Sequence, residues 1–323
     1  MPARLPVTIS ATLLAALAAW LPPAAAQSWP QRNVKFILPL GPGAGADIGA
    51  RMFADRLSKR WGQGVVVENR PGGDAVIAIT SFLSANDDHT LLFGPAGAFT
   101  AHPYQHAKMP YDPTEIIPIA RVSNTLVAVG VPTALGVGSL GELATLARTK
   151  PGELNWAAVT GLNDFQFQAF VKTAGLQMVR VPYRDAVQAL NDLSESRIQA
   201  YSSAYAIARP QVEAGKVKVI ALTNTARAPV LKDVPTAREA GFPALEFDGL
   251  VGLYGTKAVS AAVRDKIAKD VIEFSTDPEI IDRLTKTGQL VNPGNSAQFV
   301  ASIEHQRASA SETAKVLGLK VAQ

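Results

Sequence analysis

A glycine-rich stretch, VKFILPLGPGAGAD (residues 34–47), joins an apolar run, a tight loop and a helix start without a spacer. The apolar run is typical of a buried strand. Gly41, Gly43 and Gly45 permit the tight backbone path that turns successive N–H groups toward one point. The unpaired first-turn amides of the following helix favour an anion at the same place. Because Asp47 is acidic, we expect it to cap the helix and hold the loop amides instead of contacting the anion.

The same loop has a second interpretation as part of a dinucleotide-binding fold. Gly41, Gly43 and Ala46 satisfy a G-x-G-x-x-A pattern, and the acidic residue Glu68 follows about 20 residues later, as in nicotinamide-dependent oxidoreductases. Pro42 lowers the match, because it stiffens the turn and has no N–H to offer. An NAD(P)-dependent oxidoreductase therefore stays as the alternative to a carboxylate-binding protein.

The N-terminus predicts export of the chain. Residues 1–26 contain Arg4, an apolar run and an Ala24-Ala25-Ala26 ending, which is the pattern of a cleaved signal peptide. The expected location is the periplasm. Because the sequence has no cysteine, it offers no lipid-attachment site, disulfide or thiol nucleophile.

Composition narrows the function classes further. The 323 residues are 47% hydrophobic and 18% charged, enough for two well-packed domains. With 31 basic and 27 acidic residues and no basic run, the sequence predicts no nucleic-acid partner, and we expect a monomer.

The histidines and serines give weak signals for chemistry. Only His102 and His106 have a helical metal-ligand spacing, and Pro103 lies between them, so we expect the histidines to be exposed loop residues. No G-x-S-x-G or H-E-x-x-H motif is present. We therefore expect a protein without catalytic residues, metal or cofactor.

Two series of alternating strand and helix patterns predict the architecture. A long extended segment (116–131) leads from the first series to the second, and another (247–254) leads back. Such alternation predicts sheets with ligands at the carboxyl ends of their strands. The expected division is a first domain from residues 27–127 and 251–323, and an inserted second domain at 128–250.

Further binding loops follow other predicted strands. Gly97 ends a glycine-bearing loop in the first domain, and the segments 160–164 and 201–205 have the same placement in the second. Arg184 and Arg209 could pair with a ligand carboxylate, although each is more typical of a surface residue.

Several segments together resemble the tripartite tricarboxylate transporter substrate-binding proteins, the Bug or TctC family. They are the opening loop with VVVENRPGG (65–73), MPYDP (109–113), VPYRDAVQALNDL (181–193), VEAGKVKVIALTN (212–224) and DVPTAREAGFP (233–243). The resemblance implies a two-lobed α/β periplasmic binding protein, or Venus flytrap, in which each lobe is a mainly parallel sheet flanked by helices. It also implies a small organic carboxylate held in the cleft largely by backbone amides, and membrane subunits of a tripartite transporter as partners.

The loops and the resemblance together give the predicted ligand-binding residues. These are Pro39, Gly41, Gly43, Ala44, Gly45, Ala46, Asp47, Gly97, Thr160, Gly161, Asn163, Asp164, Ser203 and Tyr205. We expect a side chain added at Gly43 or Gly45 to weaken ligand binding far more than stability.

The sequence departs from the family pattern at three places that bear on specificity. Ala46 stands where the family has a hydroxyl residue, the second-domain loop is short, and Asp248-Gly249 replaces an aromatic residue before the second crossing. The ligand's identity is therefore left open. A ligand-sensing partner of a two-component system is a further alternative to a transport receptor.

Overall fold

The computed structural model describes residues 29–183 and 185–321. The predicted signal peptide (1–26) lies outside the described residues, as does Arg184. No helix within the described part of the chain is long and apolar enough to cross a membrane.

The strands form two separate sheets. They are β1 Val34–Leu38, β2 Val65–Asn69, β3 Thr90–Pro95, β4 Ile117–Thr125, β5 Val127–Pro132, β6 Asn155–Ala158, β7 Val179–Arg180, β8 Ala200–Ala204, β9 Val217–Leu222, β10 Gly249–Gly255 and β11 Gln289–Gly294. The first sheet has the order β11-β4-β10-β3-β1-β2, and the second has the order β7-β6-β8-β5-β9. The first sheet therefore takes strands from both ends of the chain, whereas the second uses one continuous stretch.

Helices cover the sheets. They are α1 Gly45–Trp61, α2 Val76–Ala85, α3 Gly97–Gln105, α4 Leu140–Thr149, α5 Leu162–Thr173, α6 Ala186–Ser194, α7 Tyr205–Glu213, α8 Ala261–Phe274, α9 Pro278–Lys286 and α10 Ser296–Leu317. Helix α3 contains His102, which the sequence predicted to be an exposed loop residue, and Pro103 lies within the helix.

The two-lobed α/β fold is confirmed, but the sheets are mixed and not mainly parallel. Strand β1 pairs in parallel with β2 and β3, and β6 pairs in parallel with β7 and β8. The strands that join the lobes run the other way: β10 is antiparallel to β3 and β4, and β5 is antiparallel to β8 and β9. The prediction counted the strand–helix–strand units and missed the reversed strands that complete each sheet.

Each lobe has its own aromatic core. In the first lobe, Phe36 and Phe93 are fully buried and their ring centroids lie 5.8 Å apart. In the second, Trp156 stacks on Phe167 at 4.5 Å. Burial of large aromatic rings stabilises each lobe separately, because the hydrophobic contribution scales with the apolar area removed from water.

Three connections join the lobes. Strands β4 and β5 are separated by Leu126 alone, and the second crossing enters β10. Asn224 links these strands, since its Nδ2 donates to the Thr125 carbonyl and its Oδ1 accepts from the Val127 N–H, each at 3.0 Å. Helix α10 makes the third connection: Phe299 belongs to the first-lobe core, whereas Ala314 packs in a cluster with residues of the second lobe.

Candidate functional site

A cavity of about 770 Å³ lies between the lobes, at the carboxyl ends of the parallel strands. Loops after β1, β2, β3, β6 and β8 and the crossing segments form its wall. The lining residues from the first lobe and the crossings are Pro39, Leu40, Gly43, Ala44, Gly45, Ala46, Gly72, Gly73, Asp74, Ala75, Pro95, Gly97, Ala98, Thr125, Val127, Phe247, Asp248, Gly249, Gln289 and Gln306. Those from the second lobe are Val159, Thr160, Leu162, Asn163, Tyr183, Ala204, Ala206 and Ile207.

The loop from Pro39 to Asp47, here called the first jaw, presents backbone to the cavity. Helix α1 begins at Gly45, three residues earlier than a cap at Asp47 would place it, and Ala44 is its N-cap. Asp47 is therefore in the first turn, and the prediction that it caps the helix is wrong. Because the first amides of a helix have no partner within it, the Gly45 and Ala46 N–H groups at the cavity wall can receive an anion.

Asp47 holds the first jaw in place, as predicted. Its Oδ2 accepts the Gly43 N–H at 2.9 Å, and its Oδ1 accepts from Asn69 at 2.8 Å. Arg51 donates to the same carboxylate at 3.1 Å. Burial raises the pKa of Asp47, but the hydrogen bonds from Arg51, Asn69 and Gly43 outweigh it, so the pKa lies below its ordinary value.

The loop from Val159 to Asp164, here called the second jaw, presents side chains. Thr160 and Asn163 line the cavity. Asn163 is fixed by two bonds to Ser202, since its Nδ2 donates to the Ser202 carbonyl at 2.7 Å and its Oδ1 accepts from the Ser202 hydroxyl at 2.6 Å. Asp164 turns away, because Arg180 and Gln168 both donate to its carboxylate at 2.7 Å.

The two lobes touch across the mouth of the cavity. The Thr160 hydroxyl donates to Oδ1 of Asp74 at 3.2 Å, and Gln105 donates to the Gly161 carbonyl at 3.1 Å. Asp74 follows Gly72 and Gly73 on the loop after β2, and the sequence prediction did not include it. The glycine pair at the end of a strand was the available signal, since the same pattern selected the other jaw loops.

The predicted ligand-binding residues divide into two groups. Those on the cavity wall are Pro39, Gly43, Ala44, Gly45, Ala46, Gly97, Thr160 and Asn163. Those not on the wall are Gly41, Asp47, Gly161, Asp164, Ser203 and Tyr205. Ser203 is 1% exposed, and Tyr205 packs in a cluster with Leu126, so their neighbours Ala204 and Ala206 face the cavity instead.

The charged side chains on the cavity wall are acidic. Its lining residues include no lysine, arginine or histidine among those the structure describes, and its charged members are Asp74 and Asp248. Arg209, a weak candidate from the sequence, bonds to Glu213 and to the Lys286 carbonyl on the exterior. A ligand carboxylate in this cavity would therefore rely on amides and neutral polar groups.

The sequence predicted exposed loop histidines, but His89 and His102 are buried. His102 is fully buried in α3, where its Nδ1 lies 2.6 Å from the Tyr111 hydroxyl, and His89 is 5% exposed. Across residues 29–183 and 185–321, no three His, Asp or Glu side chains gather in a way that could hold a metal ion. Glu68, the acidic residue of the dinucleotide pattern, pairs with Lys35 and Arg70 and does not line the cavity.

Comparison with known proteins gives a consistent result. Residues 49–319 match the family described as tripartite tricarboxylate transporter family receptor. A UPF0065 protein of Bordetella bronchiseptica is 27% identical over 93% of this chain and 90% of its own length. Protein BugT of Bordetella pertussis is 24% identical over 86% of this chain and 88% of its own.

Solved structures are similar over almost their whole length. An R. palustris protein with adipate has a TM-score of 0.80 and 26% identity, covering 92% of this chain and 100% of that one. MatC from Rhodopseudomonas palustris with bound malate has a TM-score of 0.75 and 26% identity, covering 89% and 99%. The periplasmic binding protein BugD has a TM-score of 0.75 and 25% identity, covering 91% and 100%.

Proposed function

This chain belongs to the tripartite tricarboxylate transporter receptor family, and on that premise we propose that it captures a small organic carboxylate in the periplasm for a tripartite transporter. The carboxylate lies against the first jaw, where the Gly45 and Ala46 N–H groups donate hydrogen bonds to it. The second jaw closes from the other side. The protein is non-enzymatic and hands the ligand to the membrane subunits of the transporter.

The observation that carries this proposal is the start of α1, which has no side-chain cap and whose first residues, Gly45 and Ala46, line a cavity between the two lobes. Backbone amides at a helix N-terminus favour negative charge without requiring a cationic side chain. The relatives solved with adipate and malate support the ligand class. Glu68 is committed to two ion pairs, which gives the dinucleotide alternative no support.

The remaining expectations belong to the same proposal. Residues 27–127 and 251–323 form one domain, and residues 128–250 form the inserted one. The signal peptide at residues 1–26 is removed on export. The mature protein acts as a monomer without a cofactor, metal or nucleic-acid partner.

Calorimetric titration of the mature protein with a panel of mono- and dicarboxylates tests the proposal, with Gly43→Ala as the variant and Gly152→Ala as its control. Both glycines have positive φ, +85° and +78°, and open space around the missing Cβ, but only Gly43 lines the cavity. The two variants should lose similar stability, about 1 kcal/mol, because both force alanine into the left-handed region.

Only Gly43→Ala should weaken carboxylate binding, by about tenfold, because its Cβ narrows the approach to the amides. Binding of nicotinamide dinucleotide with no binding of any carboxylate would overturn the proposal. Equal affinity in Gly43→Ala and the wild-type protein would place the ligand away from the first jaw.

A further inference from the structure

Two carboxylates, those of Asp74 and Asp248, belong to residues that line the cavity. They differ in how many hydrogen bonds they accept from the protein. Asp248 accepts from the Thr225 hydroxyl at 2.9 Å and from its N–H at 3.3 Å, and Asn224 approaches at 3.4 Å. Asp74 accepts from Thr160 at 3.2 Å, and its other oxygen lies 3.5 Å from the His102 ring. The Asp74 side chain is also 29% exposed, so it retains acceptor capacity toward the cavity.

The His102 ring lies closer to two other groups than to the Asp74 carboxylate. Its Nε2 lies 2.8 Å from the main-chain carbonyl of Asp74, and its Nδ1 lies 2.6 Å from the Tyr111 hydroxyl. Burial raises the pKa of Tyr111, so the phenol keeps its proton and can donate it to Nδ1. A neutral ring that donates from Nε2 and accepts at Nδ1 satisfies both bonds, and we assign that tautomer from the network.

The Asp74 carboxylate is ionised. Burial raises the pKa of Asp74, but the His102 Nε2–H group, 3.5 Å from the carboxylate, and the Thr160 hydroxyl outweigh burial, so the pKa lies below its ordinary value. No lysine or arginine belongs to the described lining of the cavity. The cavity therefore holds a negative charge without a cationic partner on its wall.

The backbone at this point is held in an uncommon conformation. Asp74 and Ala75 have φ values of 51° and 70°, in the left-handed region that residues other than glycine rarely adopt. The bond from His102 to the Asp74 carbonyl keeps this conformation in place. Because such strain persists only where surrounding contacts enforce it, the backbone that carries this carboxylate is held at the cavity wall, and the Thr160 bond positions the carboxylate itself.

We propose that the ligand is an amino carboxylate, with a protonated nitrogen that pairs with Asp74 and a carboxylate that lies on the first-jaw amides. This inference rests on the proposed function and names the substrate class of the same site. A dicarboxylate that reached Asp74 would place a second anion beside the Asp74 carboxylate, with no lysine, arginine or histidine on the described cavity wall, and the low dielectric of a closed cleft makes that unfavourable. An ammonium group there gains a charge-assisted hydrogen bond. Asp74 is thus the residue that determines specificity.

Matched ligands of one chain length test the inference by calorimetric titration. The probes are 6-aminohexanoate, adipate and hexanoate, which end in a cation, an anion and a methyl group, together with the same three end groups on shorter chains. The variant is Asp74→Asn, which keeps the size of the side chain and tolerates the left-handed region better than most residues. Asp55→Asn is the control, because it removes the same charge from an exposed position on α1, outside the cavity.

We expect the wild-type protein to bind the amino carboxylate of the best-fitting length at least about tenfold more tightly than the matching dicarboxylate. Asp74→Asn should lower the affinity for the amino carboxylate by about tenfold and change that for the methyl-ended acid by no more than about twofold. Asp55→Asn should leave all three affinities unchanged.

Tighter binding of the dicarboxylate by the wild-type protein would overturn the inference while leaving carboxylate capture intact. Equal losses for all three end groups in Asp74→Asn would also overturn it, because the residue would then act on the fold of the cavity and not on the ligand's cation. Failure of every carboxylate to bind would overturn the proposed function together with the inference.

Discussion

The two jaws occupy equivalent places in their lobes, each between a strand and a helix, yet they present different groups to the cavity. Each helix has a buried aspartate at its third residue, Asp47 in α1 and Asp164 in α5, with 2% and 5% of the residue exposed. Each aspartate pairs with an arginine. Only Asp47 also accepts an N–H from its own loop, that of Gly43.

The difference indicates that the two jaws have different roles in ligand binding. In the first jaw, the aspartate fixes the loop, and the wall is formed by Pro39, Leu40 and the glycine and alanine residues 43–46. In the second jaw, the aspartate is committed to Arg180 and Gln168, so the side chains of Thr160 and Asn163 must supply the polar contacts. The first jaw is suited to any carboxylate, whereas the second can distinguish one ligand from another.

The largest expected effect is that of Gly45→Val in the first jaw. A Cβ at Gly45 would lie 2.8 Å from the Thr287 carbonyl oxygen and 2.9 Å from Nε2 of Gln289. Because backbone must shift to relieve the first contact, the variant should lose about 3 kcal/mol of the free energy of unfolding, as urea denaturation can measure. Unlike a side chain at Gly43, where no atom lies within 4 Å of the added Cβ, valine at Gly45 should therefore affect stability as well as ligand binding.

Gly41→Val is the control for that variant. No atom lies within 4 Å of a Cβ built at Gly41, and its φ is not positive, so the stability should change by no more than about 0.5 kcal/mol. If both substitutions were equally destabilising, the loss of stability in Gly45→Val could not be attributed to the contact between Gly45 and the Thr287 carbonyl.

Asp47→Ala and Asp164→Ala compare the jaws directly. Each substitution removes a buried acceptor with several donors, so each should cost about 2 kcal/mol in urea denaturation. Asp47→Ala should also weaken carboxylate binding severalfold, because Gly43 loses the contact that positions the loop. Asp164→Ala should leave affinity unchanged, since neither Arg180 nor Gln168 lines the cavity. Equal effects on affinity would show that the jaws are organised alike.

The effect of acid pH on stability through Asp47 should be smaller than that of Asp47→Ala. The folded-state pKa of Asp47 lies below its ordinary value, so the ionised carboxylate stabilises the fold above about pH 4. That stabilisation is lost as the pH falls through the folded-state pKa. Asp47→Asn should therefore lose less stability than the wild-type protein on acidification below about pH 4, as thermal denaturation can measure. An identical decline in both proteins would contradict the assigned pKa shift.

The smallest effect is expected in the second jaw, for Thr160→Val. The change keeps the shape of the side chain and removes the bond to Asp74, which joins the lobes. The free energy of closing the two lobes on the ligand should become less favourable by about 1 kcal/mol. Ligand affinity should therefore fall by about fivefold in calorimetric titration. Thr145→Val removes a hydroxyl that bonds within α4, and it should not change affinity. Unchanged affinity in Thr160→Val would mean that this bond does not contribute to closure.

Local patterns in the sequence predicted much of this molecule. The apolar run before Gly41 and the glycines after it are short-range signals, and they locate the first jaw correctly. The long extended segment at 116–131 likewise predicts the crossing, which the structure divides into β4 and β5 at Leu126. These features depend on residues that are neighbours in the chain.

Features that depend on distant residues were missed. Asp74 faces the cavity because His102, 28 residues away, holds its carbonyl and because Thr160 meets it from the other lobe. His102 is fully buried in α3, although the Pro103 between His102 and His106 suggested an exposed loop. No short-range pattern specifies such pairs, since tertiary contacts decide them.

The position of β10 has a consequence for the order in which the molecule assembles. It lies between β3 and β4, so the first sheet lacks a central strand until residues 249–255 have been synthesised. The second sheet draws all its strands from residues 127–222 and can be complete before then. Because long-range strand pairing is slow, the inserted lobe should fold first and the lobe that begins the chain should fold last.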